Sequence, residues 1–121
     1  MPDIRILLIE DEVTSREILQ LVLDDAGFTV DVAVTASAAH SRLTATRYAL
    51  VIADWLLPDG DGILIADRAG ALGAATLIIT GHLSDLPPGT AKRHRVLMKP
   101  VKPLELLATV RAMIGGPRYG R

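Results

Sequence analysis

Apolar positions fall into short runs separated by amphipathic stretches, and the alternation of the two patterns predicts an order of elements. Ile4 to Ile9 is apolar apart from Arg5, as expected of a strand buried on both faces in a helix-covered parallel sheet. It stops on Glu10-Asp11-Glu12. Thr14 with Glu17 three residues on reads as a capping box, and Ile18, Leu19, Leu21, Val22 and Leu23 follow at helical spacing until Gly27. Thr29 to Ala33 predicts a second strand, and Thr35 caps a helix through about Arg47 with Ala38, Ala39 and Leu43 on its inner side. A third apolar run, from Leu50, ends on Asp54, and a turn rich in Pro, Gly and Asp follows as far as Gly62. Ile63 to Leu72 predicts a helix with Gly70 near its end, and Ala74 to Ile79 a fourth strand ending at Thr80-Gly81. Ser84 to Thr90 holds Pro87-Pro88, which deny a helix interior and predict a loop or a single turn. Val96 to Met98 is the fifth strand, closed by Lys99-Pro100. Leu104 to Ile114 is the last helix, stopped by Gly115-Gly116-Pro117, with a frayed tail beyond.

Strands alternating with helices in this way predict an all-parallel sheet with right-handed crossovers, hence a doubly wound three-layer α/β sandwich of five strands and about five helices. The carboxyl ends of the strands then share one edge, where open α/β sheets bind ligands. That edge collects Glu10-Asp11-Glu12, Asp54, Thr80-Gly81 and Lys99-Pro100. Asp54 alone reads equally as a site residue or as a turn former.

Composition narrows the function to a local site. In 121 residues, half of them apolar, there is one domain with a real core. Thirteen basic against fourteen acidic residues give a net charge of −1, which offers no footprint for nucleic acid or an anionic membrane. Cysteine is absent, excluding disulfides and thiolate chemistry. No apolar run reaches the roughly 18 residues of a membrane span, so a soluble cytoplasmic protein is expected.

Carboxylates gathered in one cleft repel, by about 4 kcal/mol for a pair ~4 Å apart at an effective dielectric near 20. A hard divalent cation, Mg²⁺ (or Mn²⁺), resolves this through oxygen ligands and retains waters that a phosphate can displace. Lys99 and the Thr80 hydroxyl supply a cation and a donor for phosphoryl oxygens. Asp54 is then placed as a nucleophile toward phosphorus.

Together these motifs resemble the response-regulator receiver domain of bacterial two-component signalling. Leu7-Leu8-Ile9-Glu10-Asp11-Glu12 resembles its acidic first loop, and Asp54 with Leu57-Pro58 and Asp61-Gly62 its phosphoacceptor segment. Ile79-Thr80-Gly81 and Met98-Lys99-Pro100 resemble its two remaining signatures. The resemblance implies a flavodoxin-like sheet in the order 2-1-3-4-5, with a receiver domain over residues 1–115 and a tail over 116–121. It implies phosphorylation of Asp54 by a histidine kinase or histidine phosphotransfer protein and control of an unknown downstream protein. Mg²⁺ would be held by Glu10, Asp11, Asp54 and the backbone carbonyl of Leu56. Thr80 would bind the phosphoryl group and Lys99 would pair with it, next to a cis Lys99-Pro100 bond. Such a protein catalyses only its own phosphorylation and dephosphorylation.

The sequence also departs from the family pattern. Glu10 stands where many members have Asp, so a water-mediated metal contact is expected. Val96 replaces the aromatic residue that usually couples the threonine to the output face. The short segment after Thr80, with Thr-Gly closing the fourth strand, resembles a subgroup in which the fourth helix is short or replaced by a loop. Glu12, His40 and His94 are expected on solvated surfaces, His82 in the pocket or in a plain loop, and Trp55 at the border of the site. Leu106 and Met113 are expected to fall off the stripe of Leu107, Val110 and Ile114 and to mark a partner or homodimer face. Three alternatives stay open. One is a pseudo-receiver that binds partners without being phosphorylated. Another is a haloacid-dehalogenase-like phosphatase, which would need a second Asp where Leu56 stands. The last is a flavin carrier, whose phosphate the acidic first loop would repel.

Overall fold

The computed structural model describes residues 4–116; Met1-Pro2-Asp3 and residues 117–121, which include most of the expected tail, lie outside the described residues. The strands are β1 (Arg5–Ile9), β2 (Thr29–Ala33), β3 (Leu50–Asp54), β4 (Leu56–Leu57), β5 (Gly60–Asp61), β6 (Ala75–Thr80) and β7 (Arg95–Met98). The helices are α1 (Val13–Asp25), α2 (Ala36–Ala45), α3 (Gly62–Ala71), α4 (Thr90–Arg93) and α5 (Pro103–Ile114), with a 3₁₀ turn at Leu83–Asp85. Five strands form a parallel sheet in the order β2-β1-β3-β6-β7, while β4 and β5 pair as a separate two-stranded hairpin. With the hairpin set aside, this is the expected 2-1-3-4-5 order in a flavodoxin-like α/β fold. The hairpin itself was not expected: its strands are two residues each, too short to show a period.

Side chains alternate across the sheet, giving two apolar layers. Leu7, Ile9, Val51, Ala53 and Ile78 face α2 and α3, packing with Leu43, Ile65 and Ala69. Ile6, Leu8, Ile52, Leu77 and Ile79 face α1 and α5, packing with Leu19, Leu23, Leu106 and Val110. Leu50 to Ala53 is buried throughout, so β3 is the centre of the core as well as the strand that delivers Asp54.

Three local expectations change. The cap of α1 is Glu12, whose carboxylate accepts from Ser15 N (2.8 Å) and Thr14 N (2.9 Å). Thr14 therefore lies inside the first turn and forms no capping box. Leu106 is fully buried and Met113 half-buried against the α1/α5 layer, so neither marks an exposed partner face. The stripe 106, 109, 110, 113 satisfies helical spacing as well as 107, 110, 114, and residues of both pack into this layer, with Leu106 and Val110 fully buried. His94, expected on a solvated face between Arg93 and Arg95, is buried. The proline-containing stretch behaves as expected: a 3₁₀ turn and a four-residue α4 stand in place of a full fourth helix.

Candidate functional site

Parallel register assembles the site. Ile9 pairs with Ala53, Asp54 with Ile79, and Thr80 with Met98. Glu10, Asp54, Thr80 and Lys99 therefore occupy the carboxyl ends of four adjacent strands, and backbone pairing alone brings them to one edge. Crossing from an outer strand toward β1 takes a long side chain, because neighbouring strands lie ~4.8 Å apart. Lys99 has that reach. Its Nζ lies 2.8 Å from Glu10 Oε1 and 2.9 Å from Asp54 Oδ2.

The acidic group fits a hard cation. Glu10, Asp11 and Asp54 each offer a carboxylate oxygen, and these atoms lie within 4.8 Å of one another. Glu10 is almost wholly buried. Its Oε2 accepts from Glu12 N (3.2 Å), while Oε1 accepts no aligned hydrogen bond and has only the ionic contact with Lys99. A buried carboxylate oxygen in that state is short of a partner, and oxygen donors of this kind suit Mg²⁺ or Mn²⁺. Burial pulls the Lys99 pKa down, but its ion pairs with Glu10 and Asp54 outweigh that and raise it above its ordinary value. Lys99 is therefore a fixed cation among three acids.

The surrounding backbone is equally constrained. Thr80 is buried, and its Oγ1 accepts from His82 N (2.9 Å), while Lys99 N donates to Thr80 O (2.9 Å). Asp61 caps α3 through Ile63 N (2.8 Å). Gly62 N donates to Trp55 O (2.6 Å), and a Cβ on Gly62 would sit 1.9 Å from the carbonyl oxygen of Asp54. Only glycine fits there. Asp59, at the hairpin tip, accepts from Ala36 N (2.6 Å) and Ser37 N (3.0 Å), which ties the segment carrying Leu56 to α2; these bonds hold the Asp59 carboxyl below its usual pKa. Asp59 and Gly62 lie within the motif read from sequence, but their contacts are tertiary and left no periodic signal.

Other singled-out residues are distributed as follows. Glu12 is exposed, as expected, and its capping bonds lower its pKa. His40 sits on α2 with Nδ1 2.9 Å from Arg68. His82 presents an exposed ring 3.9 Å from Asp85, so it is a loop residue whose contribution to the site is its backbone N–H. Trp55 is partly buried against the α2/α3 layer. The Lys99-Pro100 peptide is cis. Beside Lys99, a groove of about 360 Å³ runs past Ile18 and Leu19 of α1 and Val101 in the loop that follows β7. A cavity of about 270 Å³ at the far end of α2 and α3 has no carboxylate or histidine in its lining. No helix among the described residues is long and apolar enough to cross a membrane.

Comparisons with known proteins agree with this geometry. The model of the response regulator receiver domain family matches residues 6–111. The chain is 31% identical over 115 residues to the response regulator receiver protein CpdR of Brucella abortus (strain 2308), covering 91% of this chain and 96% of CpdR. It is 34% identical over 122 residues to the probable transcriptional regulatory protein SilR of Salmonella typhimurium, covering 91% of this chain but 50% of SilR. The match to the transcriptional regulatory protein PmrA of Pectobacterium parmentieri likewise covers 52% of that protein, so this chain spans about half the length of these two relatives. Among solved structures, a putative response regulator from Chloroflexus aurantiacus J-10-fl superposes with a TM-score of 0.80 at 27% identity, covering 93% of this chain and 98% of that one. A CheY-like receiver domain from Methanospirillum hungatei JF-1 shares the fold with a TM-score of 0.83 at 23% identity, covering 93% and 94%. With its acidic loop, central aspartate, threonine and lysine aligned at one sheet edge, the chain belongs to the response regulator receiver domain family of two-component signalling.

Proposed function

We propose that this receiver accepts a phosphoryl group on Asp54 from a histidine kinase or histidine phosphotransfer protein and then changes conformation to control a downstream protein. The observation that supports this best is the bridge of Lys99 Nζ between Glu10 and Asp54, which sets one cation against three converging carboxylates. An Asp54 carboxylate oxygen attacks phosphorus in line, forming an acyl phosphate as the P–N bond of the donor's phosphohistidine breaks and the departing imidazole takes up a proton. Glu10, Asp11, Asp54 and the Leu56 backbone carbonyl would hold Mg²⁺, or Mn²⁺ in its place, directly or through water. When bound, the ion neutralises charge on the transferring phosphoryl oxygens. Lys99 turns from the carboxylates to the new phosphoryl oxygens, and the Thr80 hydroxyl donates to them. The chain promotes only its own phosphorylation and dephosphorylation, in the cytoplasm, through contacts with proteins and not with nucleic acid or membrane.

Incubation with Mg²⁺ and a small phosphodonor, followed by intact-mass measurement, tests the reading. Wild type is expected to gain one phosphoryl mass that base removes, and Asp54→Asn to gain none. An unmodified wild type, or an adduct that persists in Asp54→Asn, would overturn the mechanism and favour a binding module that is not phosphorylated.

A further inference from the structure

The acidic loop between β1 and α1 has one partner that the proposed chemistry does not use. Arg16, in the first turns of α1, donates from one guanidinium nitrogen to the carbonyl oxygens of both Glu10 and Asp11, each at 3.2 Å. These are the two loop residues whose carboxylates converge with Asp54. Asp11 is exposed and no other described hydrogen bond reaches its carbonyl, so Arg16 is the link that fixes its backbone. We infer that Arg16 is a positioning residue for the acidic pocket, clamping the Glu10-Asp11 backbone so that both carboxylates point at one cation; this rests on the reading of the pocket as a Mg²⁺ site. A guanidinium suits the task because its terminal nitrogen carries two N–H groups, one for each carbonyl, at the end of a long side chain.

The sign of the effect on metal affinity separates positioning from charge. Removing a positive group beside a dication site tightens binding if charge is all that Arg16 contributes. Removing a clamp weakens it, typically by tenfold or more for groups that orient metal ligands. The chain has a single tryptophan, Trp55, next to Asp54, and its fluorescence reports a titration with MgCl₂. Arg16→Gln is expected to bind Mg²⁺ about tenfold more weakly than wild type. Arg16→Lys, which keeps the charge and a multi-donor nitrogen on a side chain one atom shorter, should also weaken binding, by a smaller factor. In the metal-free proteins, amide exchange at Asp11 and Glu12 should quicken in Arg16→Gln, while exchange in the β3 core stays unchanged. Unchanged or tighter Mg²⁺ binding by Arg16→Gln, with a Mg²⁺-responsive wild type, overturns the inference alone. If wild type itself shows no Mg²⁺ response, the metal reading falls and the positioning role falls with it. Quickened exchange in the β3 core would mean that the substitution loosens the whole fold, and that too overturns a specific clamp.

Discussion

The carboxyl edge of the sheet and the segment between β6 and β7 lie side by side, yet they are held together by different means. At the edge, each site residue ends or follows a strand whose register with its neighbour is set by backbone pairing. Residues 81–94 contain no strand and only a 3₁₀ turn and a four-residue helix. There, side chains do the holding. Thr90 Oγ1 donates to Pro87 O (2.7 Å), Arg93 pairs with Asp67 on α3 (3.0 Å), and His94 lies between Thr76 Oγ1 (2.5 Å) and Asp67 Oδ1 (2.6 Å). Placement by backbone is rigid and indifferent to most substitutions. Placement by side chains rests on single residues and yields to local opening.

The edge should therefore lose most stability where backbone or the central charge is disturbed. Gly62→Ala is the largest case. The added Cβ meets Asp54 backbone atoms at 1.9 and 2.8 Å, and backbone cannot rotate away as a side chain can. A loss of about 3 kcal/mol or more in urea unfolding is expected, beyond ordinary overpacking. A fully stable variant would show that the hairpin and α3 move freely relative to β3. Lys99→Ala comes next, because it leaves the buried Glu10 carboxylate without its counter-ion. The expected cost is about 2 kcal/mol in metal-free protein, below the usual range for a broken buried pair since Lys99 keeps some solvent contact. Mg²⁺ should restore part of it, by binding the folded state. The folded pKa of Lys99 is raised, so its contribution is fully present below its ordinary 10.5 and is lost as pH rises through the higher folded value. Wild type and variant should converge above that point, and a constant gap would show that the ion pair is not its source.

This contrast also explains what could be read from sequence. The strand-end positions of Glu10, Asp54, Thr80 and Lys99 follow from apolar runs and their stops, and parallel pairing then leaves little freedom in where they meet. The short hairpin, the Asp59 tie to α2 and the Arg16 bonds to Glu10 and Asp11 rest on pairings without a period, and no pattern announces them. His94 was misread because Arg93 and Arg95 make a charged run around it. Extending β7 backward by one residue gives the missing signal: His94, two positions before Val96, falls on the same face as Val96, which packs on the α2/α3 layer. The register carries this further, since Leu77 pairs with Arg95 and Ile78 with Val96, which places Thr76 beside His94. Leu106 is a different case: two helical stripes one residue apart both satisfy the spacing, and the wide face of α5 packs residues of both into the core.

His94 is consequently the residue on which the side-chain-held region can be tested. His94→Ala removes both partners of its ring and strands the buried Thr76 hydroxyl, for an expected cost of about 1–2 kcal/mol. Hydrogen exchange should rise across residues 81–94 while the β1–β3 core stays protected; uniform loss of protection would mean that the segment folds as one unit with the sheet. The pH response is smaller but has a definite sign. Burial alone would raise the Asp67 pKa, but the bonds from His94 and Arg93 outweigh it and hold the pKa below its ordinary 3.8. A depressed carboxyl contributes stability above its unfolded value and loses it as pH falls through the folded one. The acid limb of wild-type stability below about pH 3.8 should therefore include a term that His94→Ala reduces. Asp67 remains more than a third exposed, so after solvent screening that term is no more than about 0.5 kcal/mol. Superimposable acid limbs in the two proteins, after correction for their difference at neutral pH, would assign the Asp67 shift to Arg93 alone and leave His94 bound to the fold through Thr76.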